Sequence, residues 1–255
     1  MKIKYLLFAV IFLCASMVFS YVDSRELTLS TEGIDLIHFD CGEGYLSIVG
    51  VENLDRIEVK VEIYIKSRRS TYAKQFVEDY LHLSLKRKGN KAVLVSHFDN
   101  HKFIRMAREK EINLEVKIPR KMDLFVDDNS GSLKISSIEG QLEIDDNSGD
   151  MTLLNIYGDV EIDDDSGDIE IDGIMGDLYI DDDSGDIFAE NIRGEIDVDD
   201  SSGSIDIRNS EGDVTINDDS GDIRLDSIEK DVIIKSDGSG DVHLTNIKGK
   251  VYKDD

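Results

Sequence analysis

The chain has 255 residues and a formal net charge of −26, and its acidic excess lies in residues 121–255, where 39 Asp and Glu face 10 Lys and Arg. A field of that sign repels nucleic-acid phosphates and anionic lipid, so the second half is excluded as a nucleic-acid binder and attracts cations or basic partners instead. With only Cys14 and Cys41, no disulfide framework is available.

In chain order, residues 1–20 read as an export signal. Lys2 and Lys4 precede an apolar run from Tyr5 to Leu13, and Val18, Phe19 and Ser20 form a small-residue cleavage site before Tyr21. The run is too short for an integral membrane span. Cys14 raises lipidation as an alternative, but Leu13 stands where lipoprotein processing favours a small residue. The expected destination is the periplasm, the cell surface or the medium. After cleavage Cys41 has no cysteine to pair with, so it is either a lone buried thiol or an intermolecular bridge.

Residues 21–120 are nearly charge-balanced and carry irregular strand patterns at Leu27 to Leu29, Ile34 to Ile37, Tyr45 to Val49 and Ile57 to Ile65. Ala73, Phe76, Val77 and Tyr80 fall at helical spacing and predict a short amphipathic helix over 71–80. Lys88, Gly89 and Asn90 sit between two alternating runs and predict a hairpin. The segment is read as an N-terminal cap made of irregular early coils, because a first coil left bare would offer unpaired strand edges.

Residues 121–255 are governed by a period. Ser-Gly recurs at Ser130, Ser148, Ser166, Ser184, Ser202 and Ser220, eighteen residues apart, and again nineteen later at Ser239. A second glycine keeps the same period at Gly140, Gly158, Gly176, Gly194 and Gly212, gives way to Lys230, and returns at Gly249. Each unit is thus two nine-residue halves, both carrying an apolar-x-apolar triplet with the alternation of a half-buried strand. In one coil Ile169, Ile171, Ile174, Leu178 and Ile180 are expected to point inward and Tyr179 outward. Gly176 is a candidate for positive φ, where a valine would be severe. One coil buries too little to order itself, so neighbours must stack. The fold class predicted is all-β, a parallel β-solenoid of about seven flattened coils. A triangular coil of hexapeptide sides does not fit the apolar spacing, and handedness stays open.

The transition from Val116 through Pro119 and Leu124 to Gly131, followed by runs of Ser-Gly-Asp and Gly-Asp, resembles the bacterial DUF4097 family, whose members often carry an adhesin label. The resemblance covers nearly all of the mature chain. It implies an exported β-solenoid with no established catalytic residues. The uninterrupted period reads as a non-enzymatic binding or structural element of the envelope, with an envelope or surface partner that the sequence does not name. The departure lies before Ser-Gly, where this chain has Asp-Asp-Asp or Asp-Asp-Asn in place of short Thr, Ser or Gly residues.

Those acidic triplets are the only candidate site. Asp145, Asp163, Asp181 and Asp199, then Asp146, Asp164, Asp182 and Asp200, with Asp165 and Asp183, would stack into columns. Calcium suits such hard oxygens; the alternative is a solvated edge in which Asp, Asn and Ser accept local backbone hydrogen bonds. No other cofactor is indicated. A polysaccharide-degrading β-helix enzyme is the remaining alternative, but no loop interrupts the period to build a cleft and nothing singles out one pair of acids. His97 and His101 have metal spacing only on a helix, and their surroundings look like a hairpin end.

Overall fold

The computed structural model describes residues 19–67, 70–99 and 107–253. The residues read as an export signal, up to Val18 and with Cys14 among them, and His101 lie outside the described residues. Phe19 and Ser20 already belong to the first strand, so the predicted cleavage point falls within β1 (Phe19–Ser30).

The chain continues through β2 (Leu36–Glu43), β3 (Leu46–Val51), β4 (Arg56–Ser67), α1 (Ser70–Tyr80), β5 (Leu81–Lys88), β6 (Lys91–Phe98), β7 (Ala107–Pro119) and β8 (Asp123–Ser130). From there it alternates between two sheets, strand by strand. These are β9 (Leu133–Ile138), β10 (Leu142–Asp146), β11 (Met151–Ile156), β12 (Val160–Asp164), β13 (Ile169–Ile174), β14 (Leu178–Asp182), β15 (Ile187–Ile192), β16 (Ile196–Asp200), β17 (Ile205–Ser210), β18 (Val214–Asp218), β19 (Ile223–Ile228), β20 (Val232–Asp237), β21 (Val242–Ile247) and β22 (Val251–Lys253).

The result is a two-sided parallel β-solenoid of about seven turns. Sheet A runs β1-β4-β7-β3-β9 and then every odd strand to β21; sheet B runs β5-β6-β2-β8 and then every even strand to β22. Successive coils pair residue i with i+18, as in Ile169 with Ile187 and Leu178 with Ile196. Ile169, Ile171, Ile174, Leu178 and Ile180 are all buried, and Tyr179 is exposed, as the alternation requires. In the last coil Val242, Leu244 and Ile247 are only half-buried, and Val251 is 45% exposed, because a coil at the edge of the stack has a neighbour on one side only.

The cap is interleaved with the first coil. Strands β2 and β3 are rungs of the solenoid, yet each lies between two later segments: β2 between β6 and β8, and β3 between β7 and β9, all in parallel register. Beyond them β1, β4 and β7 form an antiparallel sheet end, and β5 pairs antiparallel with β6 through the turn at Gly89 and Asn90. Helix α1 lies against β1, β4 and β5 and buries Ala73 and Val77.

The glycines follow from the stacking. At Gly149 φ is +131°, and a Cβ there would lie 1.6 Å from the Gly131 carbonyl oxygen of the coil before. Gly176 is not at positive φ. It is required for a different reason: its Cβ would stand 2.5 Å from the Gly158 carbonyl, so the backbones pass too closely for any side chain.

Candidate functional site

The strand alternation runs on through the acidic triplet and divides it. In β14, Leu178 and Ile180 point inward, so Asp181 faces solvent, Asp182 points into the solenoid, and Asp183 lies exposed in the turn. The same division places Asp145, Asp163 and Asp199 outside, Asp146, Asp164 and Asp200 inside, and Asp165 in the turn. Among the described residues, no group of three or more His, Cys, Asp or Glu side chains converges as a metal site. The three acids of one coil therefore point in different directions, and it is the same position in successive coils that comes together.

The inner position forms a continuous column. Cys41, Asp128, Asp146, Asp164, Asp182, Asp200, Asp218 and Asp237 are paired rung to rung in register. The six aspartates from Asp128 to Asp218 are at most 1% exposed. From Asp146 onward each uses Oδ1 to accept the backbone N–H of the serine two residues later, at 2.8–3.1 Å, an Asx turn that sets the corner of the coil. Oδ2 of all six is buried and has no hydrogen-bond partner. Burial is the main force raising these carboxyls. Asp128, Asp146 and Asp182 are pushed up to about 7, and Asp164 and Asp200 to about 6, with neighbouring aspartates adding to the rise and the serine N–H opposing it. Burial, and then Asp128, also push the free Cys41 thiol well up, which keeps it protonated and inert.

Two further acidic or polar columns are structural, and neither was legible from the triplets. The aspartate after each turn glycine accepts the backbone N–H of its counterpart one coil on: Asp159 from Asp177, Asp177 from Glu195, Asp168 from Asp186. These bonds staple successive coils where the strand begins. In the opposite turn Ser137, Asn155, Gly173, Asn191, Asn209, Ser227 and Asn246 occupy a column of positive φ, which explains the Asn, Ser and Gly at that place. Ser148, Ser166, Ser184 and Ser202 of the Ser-Gly turns each add a bond from the hydroxyl to a carbonyl of the previous turn, as Ser184 does to Asp165.

The outer face of sheet B carries what remains. Glu143, Glu161, Tyr179 and Asp197 border an open groove of about 700 Å³ that crosses the starts of successive strands, with Lys91 at its cap end. His97 faces His82 across the β5–β6 hairpin at 5.1 Å between ring centroids, and His82 Nε2 lies 2.8 Å from Asp99. No helix among the described residues is long and apolar enough to cross a membrane.

The model of the Toastrack DUF4097 family matches residues 49–250, and the chain belongs to that family. Among solved structures, one from Parabacteroides distasonis described as a "putative lipid binding protein" is 14% identical, covers 91% of this chain and 94% of its own, and has a TM-score of 0.50. A "putative adhesin" from Bacteroides fragilis is 13% identical, with 92% and 97% covered and a TM-score of 0.38. A "putative cell adhesion protein" from Clostridium sporogenes is 11% identical, with 91% and 99% covered and a TM-score of 0.36. At these identities the likeness is one of fold. No curated protein matches at a significant level.

Proposed function

From its place in the Toastrack DUF4097 family, we propose that this chain is an exported, non-enzymatic binding or structural element of the bacterial envelope, whose working surface is the acidic outer face of sheet B. The observation that carries the reading is the unbroken period. Coil after coil presents outward acids in register, Glu143 with Asp145, Glu161 with Asp163, Asp197 with Asp199, and no inserted loop gathers them into a cleft. Catalytic residues sit disproportionately on loops held by a rigid scaffold, and in a repeat fold such loops normally show as breaks in the period. A flat lattice of like charge instead offers many equivalent weak contacts, suited to a cationic partner and tuned by ionic strength. The adhesion label borne by relatives in the family agrees with a binding role and says nothing of the partner.

The test is binding of a lysine-rich peptide to the mature protein at low and at raised NaCl, beside Glu161→Lys with Asp163→Lys. Salt-sensitive binding that the charge-reversed variant loses supports the reading. Undiminished binding to that variant would sink the assignment of the face. A lyase or hydrolase activity on cell-wall polysaccharide that a single carboxylate substitution abolishes would overturn the non-enzymatic part.

A further inference from the structure

The inner aspartates are unusual for a core. An acid side chain is almost never fully buried without a partner, yet here six stand one above another, each with Oδ2 buried and unpaired, while the five from Asp146 onward have Oδ1 committed to the turn. The charged groups that face the column from neighbouring positions, among them Asp163, Asp165, Asp183, Asp186 and Asp219, are acidic as well. At its cap end the column meets the Cys41 thiol, which carries no compensating charge. At its far end the next rung, Asp237, has what the others lack: the Lys253 ammonium lies 2.6 Å from its Oδ2.

We propose that the column from Asp128 to Asp218 is a cation ladder, in which hard cations of calcium's size sit between successive rungs, each bridged by the Oδ2 atoms of two neighbouring aspartates. The rungs repeat by translation at the strand spacing of about 4.8 Å. A cation midway between two equivalent oxygens would stand about 2.4 Å from each, within the calcium–oxygen range of about 2.3–2.6 Å. Among the described residues no third acidic, histidine or cysteine side chain converges on any pair, so the rest of the shell falls to turn carbonyls and water. Magnesium, which needs a tighter octahedral shell at about 2.0–2.1 Å and dehydrates reluctantly, fits poorly. At the partly exposed last rung, Asp237 is paired with Lys253 from within the chain. This ladder is independent of the outer face: it concerns Asp146, Asp164, Asp182 and Asp200, and assigns no cation to Asp145, Asp163, Asp181, Asp199, Asp165 or Asp183.

The experiment is a calcium titration of the mature, chelator-treated protein at pH 6.5 in weak buffer, following heat and proton release together, with magnesium and sodium arms at matched ionic strength. Saturable calcium binding below about 1 mM, within the range of extracellular calcium modules, accompanied by proton release and absent with magnesium, is the expected result. Proton release marks the inner column, because cations gathered on ordinary exposed carboxylates displace no protons at that pH. Asp164→Asn with Asp182→Asn should lower the number of ions bound, and Asp163→Asn with Asp181→Asn should leave it unchanged. Should the inner variant fail to fold, the proton count on the unaltered chain still decides. No saturable binding below about 10 mM, equal responses to all three salts, or binding without proton release would each overturn the ladder, leaving a column that takes up protons alone.

Discussion

Lowering the pH should stabilise this solenoid, the reverse of ordinary acid denaturation. Five of the inner carboxyls, Asp128, Asp146, Asp164, Asp182 and Asp200, have folded-state pKa values raised to about 6–7 from 3.8. The folded state therefore holds protons that the unfolded chain has lost. Their contribution is fully present below about pH 4 and is lost as the pH rises through 6–7. For Asp146, moved from 3.8 to about 7, the ceiling is about 4 kcal/mol at about 1.4 kcal/mol per unit, and water screening at the turn lowers it to the order of 2 kcal/mol. Five such groups make the trend large even after their mutual coupling is discounted. The assay is urea unfolding in chelator at constant ionic strength between pH 4.5 and 8.5. The midpoint should fall across pH 5–7.5 and then level off. Asp164→Asn should flatten that profile and raise stability at pH 8, since an amide oxygen can still accept the Ser166 N–H that Asp164 accepts at 3.1 Å. Side-chain amides already ladder elsewhere in the stack, Asn147 Nδ2 donating to Asn129 Oδ1 at 3.2 Å. A midpoint at pH 8 equal to or above that at pH 5 would refute the account and mean that the column is hydrated and ionised.

Three further outcomes test the packing. Ile180→Ala, at a fully buried position, should destabilise by about 2–5 kcal/mol through lost burial and a cavity, whereas Tyr179→Ala outside should change stability far less, both read from chemical denaturation. Gly149→Ala should destabilise well beyond the 1–3 kcal/mol or so of an unfavourable φ, because its Cβ meets the Gly131 carbonyl, while Gly89→Ala, with nothing within 4 Å, should show the φ effect alone. Asp177→Ala removes the acceptor of the Glu195 N–H at 2.8 Å and should lower stability by about 1–3 kcal/mol; Asp163→Ala, exposed on sheet B, should be neutral or stabilising in low salt.

The period made the architecture legible, because identical spacing of Ser-Gly and of apolar pairs leaves little besides a stacked coil. Alternation also gave the right inward set in the central coils. The same alternation, carried two residues beyond Ile180, places Asp182 inside; reading the triplet as one acidic turn hid that, since hydropathy places acids outside by default. The staples made by Asp159 and Asp177 were hidden for another reason. Their partner is a backbone N–H eighteen residues on, and backbone groups leave no signature in composition. The positive-φ column was faintly visible as Asn155, Asn191 and Asn209, each just before an inward position, and it is a sequence signal of turn geometry that a search for charge passes over. The lead-in was the least legible part, because β2 and β3 are coil strands whose neighbours lie far along the chain.

That separation bears on how the protein reaches its structure. Leu46 pairs with both Leu114 and Leu133, so β3 has no neighbour in place until at least 68 further residues have been made, and Leu36 of β2 waits 55 residues for Lys91. The later coils need only a partner eighteen residues away. Non-local contacts of the first kind slow folding through loop closure. The rate-limiting event is therefore expected at the junction of β3 with β7 and β9, after which the remaining coils can add in sequence, each on a surface already built.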